Sequence, residues 1–159
     1  MDNNLYVFHI TCVMHNSRIS DRMKRYNVRV GEYVFLDEKQ EIILTKIICD
    51  IVKKYNYIFL AYNICKDHIH FVIYCDFEKL SDIVKTIKSL SSREFKKEAN
   101  ISSSLWAEKF NRKVIDIEKQ LTNTINYVNN NRIKHNLYEN DELKKVIEKF
   151  ITPIEFAFD

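Results

Sequence analysis

The chain has 159 residues, of which 46% are hydrophobic and 30% are charged, and its formal net charge is +3. A chain of this length and composition is expected to form one globular domain with a sizeable core. It contains one glycine, Gly31, and one proline, Pro153, which excludes a nucleotide-binding fingerprint built on a glycine-rich loop. The sequence shows no secretory signal and no apolar run of membrane-spanning length, so we expect an intracellular, cytoplasmic protein.

The first third of the chain carries strand and helix signals in alternation. Leu5 to Val13 is rich in β-branched and aromatic residues and predicts a strand. Asn16 to Gly31 is polar and basic and predicts a loop, followed by a candidate short strand at Glu32 to Leu36. Asp37 is positioned to cap a helix from about Glu38 to Lys54, in which isoleucine and valine recur at helical spacing.

The remaining two thirds predict three more strands and three more helices. Tyr57 to Cys65 and His68 to Tyr74 predict two strands that form a hairpin around Lys66 and Asp67. The other predicted elements are a helix from about Ser81 to Phe95, a strand at Lys113 to Ile117, a helix from Glu118 to about Arg132 and a helix from Glu142 to Phe150.

The order of these elements predicts the fold. Strand, helix, strand, strand, helix, strand is the order of the α+β ferredoxin-like fold, also called split βαβ. We therefore expect a mainly antiparallel sheet with the first two helices on one face and a C-terminal helical extension. No linker divides the chain, so we expect a single domain over residues 1–159, with its core at about 5–137 and the extension at about 138–159.

Basic residues are concentrated in two segments. One set lies in the predicted loop and comprises Arg18, Arg22, Lys24, Arg25 and Arg29. The other lies in the predicted second helix and its end, and comprises Lys85, Lys88, Arg93, Lys96 and Lys97. Such clusters suit a phosphate backbone, but solvated protein faces have the same composition, and the clusters alone favour the second interpretation.

The cysteines indicate reduced, buried thiols. The four of them are Cys12, Cys49, Cys65 and Cys75. None forms a CxxC pair, so a zinc knuckle is not expected. Each lies in an apolar segment, where a cysteine behaves as a small hydrophobic residue.

Two histidines, His68 and His70, lie one residue apart in a predicted strand. Because side chains on a strand alternate between faces, both imidazoles should project from one face and Ile69 from the other. Two neighbouring imidazoles supply half of a metal site. The alternative is a pair of surface histidines on an open sheet face, and this short pattern by itself favours that alternative.

The predicted helix from Glu118 places a tyrosine beside a polar stripe. Leu121, Ile125 and Val128 define its apolar face, and Tyr127 lies roughly 120° from the centre of that face. Asn131 follows Tyr127 by one helical turn on the same side. A phenol is a weak nucleophile at neutral pH, and a nearby cation can polarise a phosphodiester and offset charge in the transition state. A tyrosine at this angle can equally border the core.

Five segments, in order, resemble the HUH single-strand DNA endonucleases, and most closely the single-tyrosine insertion-sequence transposases and the REP-associated tyrosine transposases. FHITCV resembles the opening strand of that family and KDHIHFVI resembles its HUH strand, where U is a hydrophobic residue, here Ile69. The others are TIKSLSSREFKKE for the next helix, LWAEKFNRKVID for the segment leading into the fourth strand, and INYVNNN for the helix with the nucleophile. The resemblance covers about Leu5 to Leu137.

This resemblance implies a chemistry and its residues. It implies that His68, His70 and Asn131 are ligands of a divalent metal, Mg²⁺ or Mn²⁺, and that Tyr127, in the C-terminal helical part, is the nucleophile. The implied reaction is metal-dependent attack of tyrosine on single-stranded DNA, which forms a 5′-phosphotyrosine link and releases a 3′-hydroxyl. Another 3′-hydroxyl then rejoins the strand. Many family members have glutamine where this chain has Asn131.

The implied partner is single-stranded DNA, typically with a hairpin beside the cleavage site. Both basic clusters then become candidates for contacts with the DNA backbone, with Lys85, Lys88 and Arg93 representing the second. Some family members form homodimers in which one chain's tyrosine completes the other's histidine site, and others act as monomers; the residues leave both open. The glycine that usually precedes the tyrosine helix is missing here, which leaves open whether that helix moves and whether the protein transposes or only nicks.

Three other interpretations stay open. The first is a catalytically inactive protein that binds DNA hairpins. The second is a ferredoxin-like module that binds a metal or small ligand and no nucleic acid. The third is another HUH class, a replication initiator or plasmid relaxase. If Tyr127 is not the nucleophile, Tyr138 is the next candidate.

Overall fold

The computed structural model describes residues 5–15, 34–101 and 104–154. Within these ranges the chain forms four strands and five α-helices. They are β1 (Leu5–Val13), α1 (Glu38–Tyr55), β2 (Ile58–Cys65), β3 (His68–Asp76), α2 (Leu80–Ala99), β4 (Asn111–Ile115), α3 (Glu118–Asn129), α4 (Asn131–Lys134) and α5 (Asp141–Glu148). A short 3₁₀ turn, Phe77–Lys79, connects β3 to α2. Among the helices of these ranges, none is long and apolar enough to cross a bilayer.

The four strands form one sheet in the order β2-β3-β1-β4, and every neighbouring pair is antiparallel. This is the topology of the ferredoxin-like fold, so the predicted α+β class is confirmed. The predicted hairpin is also confirmed, since Cys65 pairs with His68 across the turn at Lys66 and Asp67. The last strand lies at Asn111–Ile115, two residues earlier than predicted.

The two faces of the sheet bury different sets of residues. On the first face, which we call the core face, alternate residues of β1 and β3 pack under α1 and α2. Representative members are Phe8, Ile10, Ile69, Phe71, Leu44, Ile48, Val84 and Ile87. On the second face, which we call the site face, Val7 and Val72 pack against Leu121 and Val128 of α3. The first two helices therefore share a face, as predicted, and α3 lies on the other.

Asparagine, and not glycine, provides the left-handed residues at the helix ends. Asn56 follows α1 with φ 56°, Asn100 follows α2 with φ 54°, and Asn136 lies after α4 with φ 59°. Asparagine tolerates this conformation better than other residues that carry a Cβ. At the start of α1, Asp37 accepts a hydrogen bond from the Gln40 N–H at 2.7 Å, and Gln40 Oε1 accepts one from the Asp37 N–H. The predicted cap is confirmed as a capping box.

The short strand predicted at Glu32 to Leu36 is wrong for the part that is described. Val34 to Leu36 has no regular structure. The Val34 N–H donates to His15 O and the Leu36 N–H donates to Lys66 O, so this segment follows the sheet's end without joining a ladder. Glu32, Tyr33 and the predicted loop Asn16 to Gly31 lie outside the described residues.

The helix predicted from Glu118 to about Arg132 is two helices in the structure. Nδ2 of Asn63, on β2, donates to the carbonyl oxygens of Val128 (3.0 Å) and Asn129 (3.2 Å). In an uninterrupted helix these two oxygens would accept hydrogen bonds from the N–H groups of the residues four positions later. Three consecutive asparagines also have low helix propensity. The chain consequently breaks at Asn130 and resumes as α4.

Polar groups occupy the outer edge of β2. Arg132 Nη1 donates to Ile64 O at 3.0 Å and to the Glu41 carboxylate, and Arg132 Nε donates to Tyr138 O at 3.0 Å. Further along the strand, the Thr152 N–H donates to Phe59 O at 2.8 Å. Arg132 is 6% exposed and Glu41 is 2% exposed. This buried ion pair fixes α4 to α1 and to the end of β2.

We expect Glu41→Gln to destabilise the protein by about 3 kcal/mol or more, because it leaves the buried Arg132 charge without this carboxylate. Urea unfolding followed by circular dichroism measures the change. Lys46→Ala is the matched control on the same helix, since Lys46 and Glu142 form an exposed pair whose loss should cost less than about 1 kcal/mol. Equal, small losses in both variants would contradict the anchoring role of Glu41.

We expect Asn63→Asp to cost about 1–3 kcal/mol, because a carboxylate replaces the amide donor opposite two carbonyl oxygens. Hydrogen exchange should also quicken at the junction of α3 and α4, while the strands stay protected. Asn126→Asp makes the same chemical change at an exposed position of α3 and should have little effect. Unchanged exchange at the junction in Asn63→Asp would refute the account of the helix break.

Candidate active site

Strand pairing brings four polar side chains together on the site face. Thr11 lies opposite His70 and Val13 lies opposite His68 in the ladder between β1 and β3. His9 and Thr11 therefore share a face with His68 and His70, whereas Ile69 packs in the core face. The rings of His68 and His70 have centroids 4.9 Å apart, and both residues are buried. The predicted common projection of the two histidines is confirmed.

The helix break turns Asn131 inward against His68. Asn131 is fully buried, while the neighbouring Asn130 is exposed. Its Oδ1 lies 3.2 Å from His68 Nε2 and 3.0 Å from Cys65 Sγ. Its Nδ2 is buried and has no hydrogen-bond partner within the described ranges. Of the two adjacent asparagines, Asn131 is thus the one that the structure brings to the histidines.

Asp67 determines which nitrogen His68 presents to Asn131. Asp67 Oδ1 lies 2.7 Å from His68 Nδ1, and because a carboxylate accepts, this contact places a proton on Nδ1 and directs Nε2 toward Asn131. A carboxylate behind an imidazole is the usual support of a metal-binding histidine.

This arrangement fits a divalent cation. An imidazole nitrogen and an amide oxygen that converge at one point are both metal ligands. Asn131 Nδ2 has no hydrogen-bond partner among the described residues, which is unusual for a buried polar group. The donor atoms of His68 and Asn131 are therefore of a kind that binds divalent metals, and His70 lies beside them.

His70 is held through one nitrogen. Its Nδ1 lies 2.9 Å from Thr11 Oγ1 and 3.0 Å from His9 Nε2. Burial, together with the neighbouring His68 and His9, lowers the pKa of His70 to about 3. Burial also lowers the pKa of His9. The ring of His70 is therefore neutral at physiological pH, as metal binding requires, and it is oriented so that Nε2 is the nitrogen available to a ligand.

Tyr127 lies at the end of α3 beside its own chain's histidines. Its ring centroid is 5.7 Å from that of His70 and 6.0 Å from that of His9. The side chain is 39% exposed. Lys134 Nζ donates to the Tyr127 hydroxyl at 3.2 Å and lies 4.5 Å from the centre of the ring. Tyr138 is 90% exposed, and of these two tyrosines Tyr127 is the one whose ring lies beside the histidines of its own chain.

A groove of about 670 Å³, most of whose lining residues are polar, runs past Tyr127 and His70. It is lined by His9, Thr11, His70, Lys113, Ile117, Lys119, Gln120, Asn123, Thr124 and Tyr127. Gln120 and Thr124 are members of the polar stripe that helical periodicity identifies. The sequence analysis did not identify four of these residues, His9, Thr11, Lys113 and Lys119. Two-residue alternation along β1 and β4 could have identified His9, Thr11 and Lys113.

The basic residues of α2 lie on the other side of the sheet. α2 packs on the core face, so Lys85, Lys88 and Arg93 are not brought to the histidines. Lys88 Nζ donates to Ala107 O (2.6 Å) and Glu108 O (3.0 Å), and Arg93 Nε lies 3.4 Å from the Glu94 carboxylate. Lys85 is exposed. The other cluster, which consists of Arg18, Arg22, Lys24, Arg25 and Arg29, lies outside the described residues.

Comparison with solved structures supports the fold. A REP-associated tyrosine transposase bound to a REP hairpin is 16% identical, with a TM-score of 0.56 over 84% of this chain and 70% of that one. A candidate transposase from Deinococcus radiodurans R1 is 15% identical, with a TM-score of 0.48 over 79% of this chain and 90% of that one. No curated protein sequence matches the chain.

The comparison with family models is more specific. The model described as "Transposase IS200 like" matches residues 9–131. The matched segment begins at His9 and ends at Asn131, so it contains both histidines of the HUH strand and Tyr127. It covers well over half of the chain. The chain therefore belongs to the IS200-like transposase family, the single-tyrosine branch of the HUH endonucleases.

Proposed function

We propose that the protein nicks and rejoins single-stranded DNA in a metal-dependent reaction through a 5′-phosphotyrosine intermediate. Tyr127 is the nucleophile, and His68, His70 and Asn131 are the metal ligands. One observation carries the proposal: the Tyr127 ring lies 5.7 Å from the His70 ring in an open polar groove. Membership in the transposase family supports it.

The supporting residues hold the ligands in place. Asp67 keeps the proton on His68 Nδ1, and Thr11 and His9 hold His70 at Nδ1, so both imidazoles keep Nε2 for a ligand. His68, His70 and Asn131 would hold Mg²⁺ or Mn²⁺, which would supply Lewis acidity to polarise the scissile phosphodiester. Burial of His68 and Asn131 keeps these ligands from moving when substrate enters.

The nucleophile works beside a positive charge. Attack forms a bond between the Tyr127 oxygen and phosphorus and breaks the bond from phosphorus to the 3′-oxygen, which leaves as a hydroxyl. The phenolic proton passes to solvent, and the departing 3′-oxygen takes a proton from solvent, so the exchange balances. Lys134 Nζ, at 3.2 Å, favours the phenolate that develops, because an ammonium group stabilises a neighbouring negative charge. The reverse attack by a 3′-hydroxyl releases Tyr127 and reseals the strand.

We propose that the groove carries the single strand. Lys113 and Lys119 line it with positive charge, and the polar stripe of α3 faces into it, an arrangement that suits a phosphate backbone. Lys85, Lys88 and Arg93 would contact a second part of the DNA on the opposite side, with the loop cluster Arg18 to Arg29 adding further contacts. The fold match to a transposase bound to a REP hairpin supports a hairpin as that part.

We expect Tyr127→Phe to abolish the covalent protein–DNA adduct while leaving binding of single-stranded DNA unchanged, because only the hydroxyl is lost. A denaturing gel after incubation with labelled oligonucleotide and Mn²⁺ measures the adduct, and fluorescence anisotropy measures binding. His70→Ala should likewise bind DNA without forming an adduct.

Tyr138→Phe is the matched control for that experiment and should form the adduct normally. If Tyr127→Phe still becomes linked to DNA, another tyrosine is the nucleophile. If wild-type protein forms no adduct with any divalent metal but binds hairpins, the chain is a binding protein and the catalytic proposal fails.

We expect the double replacement of Lys113 and Lys119 by alanine to weaken the binding of unpaired oligonucleotides. The slope of log K against log[salt] should also become smaller in magnitude by about 1.4, because each lost single-strand phosphate contact accounts for about 0.7. Removal of Lys85 and Arg93 should act only on a substrate that contains a hairpin. The matched control removes two lysines of α1, Lys46 and Lys53, and should change neither slope. Equal effects of all three double variants would contradict directed contacts.

A further inference from the structure

A second group of potential metal ligands lies next to the proposed catalytic set and shares His68 with it. One ligand atom each from Cys65, His68 and His135 lie within 4.8 Å of one another. Cys65 ends β2 and His68 begins β3, and the two pair across the hairpin. Both are buried, whereas His135, after α4, is exposed. The rings of His68 and His135 have centroids 5.0 Å apart.

The side chain of Asn131 points to the same place. Its Oδ1 accepts from Cys65 Sγ at 3.0 Å and lies 3.2 Å from His68 Nε2. Asn131 is fully buried, and its Nδ2 has no hydrogen-bond partner among the described residues. A thiol, an imidazole and an amide therefore converge below an exposed histidine, which leaves the His135 side as the route by which an ion enters.

The chemistry of this cluster differs from that of the catalytic set. A thiolate with two imidazoles selects borderline and soft cations such as Zn²⁺, whereas Mg²⁺ and Mn²⁺ prefer oxygen ligands. Tetrahedral zinc bonds of about 2.0–2.3 Å place neighbouring ligand atoms about 3.5 Å apart. The separations of up to 4.8 Å exceed this by about 1 Å, so a bound ion would draw the three side chains closer together.

We propose that Cys65, His68 and His135 form a binding site for a thiophilic divalent cation of the zinc class, with the Asn131 amide oxygen or water as the fourth ligand. Binding replaces the S–H bond of Cys65 with a sulfur–metal bond and releases the proton to solvent. His68 Nε2 has one lone pair, so an ion here withdraws His68 from the catalytic set. This inhibitory consequence, but not the site itself, rests on the proposed function.

Cobalt spectroscopy on the metal-free full chain tests the site without DNA. Co²⁺ replaces Zn²⁺ at tetrahedral sites and gives a sulfur-to-cobalt charge-transfer band in the near ultraviolet when a thiolate binds it. We expect this band in wild-type protein and its loss on addition of Zn²⁺. A wild-type spectrum without the sulfur band would overturn the proposal.

Three variants assign the band to residues. Cys65→Ser should abolish the sulfur band. The other described cysteines are also buried, so a band that persists in Cys65→Ser would come from one of those cysteines and would refute the site. His135→Ala, at an exposed position, should weaken Co²⁺ binding roughly tenfold or more, and unchanged affinity would refute it even if Cys65→Ser does not fold. His70→Ala is the matched control and should keep the band, because His70 belongs to the catalytic set alone.

The inhibitory consequence has its own readout. Adduct formation with Mn²⁺ should fall on addition of Zn²⁺ in wild-type protein and should resist higher Zn²⁺ in His135→Ala. Equal sensitivity of the two proteins would overturn the inhibition. If wild-type protein forms no adduct at all, the proposed function fails, and the cobalt spectra still decide whether the site exists.

Discussion

The structure of the candidate site depends on the two hydrogen bonds that Asn63 donates to the end of α3. They take the carbonyl oxygens of Val128 and Asn129, which an extended helix would need for its own N–H groups. The chain therefore turns at Asn130, and Asn131 points into the sheet beside His68 and not along the helix. The same bonds hold the last turn of α3 on the site face, where Tyr127 lies over His70. One side chain of an edge strand thus sets the relative positions of the tyrosine, the amide and the histidines.

The two faces of the sheet have different roles: the core face contributes most of the apolar burial, and the site face carries the polar residues of the candidate site. On the core face, large apolar side chains of β1 and β3 pack under α1 and α2 and supply most of the buried area. This leaves the site face free to bury polar groups, which are costly unless they are paired. Most are paired: Asp67 binds His68 and Thr11 binds His70. Among the described residues the exception is Asn131, whose buried Nδ2 has no hydrogen-bond partner. Asn131 lies where a metal ion is proposed to bind.

Short-range periodicity was sufficient to predict the fold, whereas the roles proposed for the central residues came from the resemblance to the HUH endonucleases. Alternation along β3 predicted that His68 and His70 share a face, and helical spacing placed Tyr127 beside a polar stripe. The break after Asn129 was not predictable, because its cause, Asn63, is distant along the chain. Cys65, His135 and His9 approach the site only through tertiary packing. The charge cluster of α2 gave no indication of the face on which that helix lies, and the helix packs opposite the histidines.

The polar groups along the outer edge of β2 also restrict how copies of the chain can assemble. An open edge strand offers unpaired backbone groups to which another strand can add. Here the oxygen of Ile64 is taken by the Arg132 guanidinium and that of Phe59 by the Thr152 N–H. Continuous pairing of a neighbouring molecule along β2 would have to displace both. Within the described sheet the other edge is β4, and a second copy that added there would lie at the margin that borders the proposed DNA groove through Lys113.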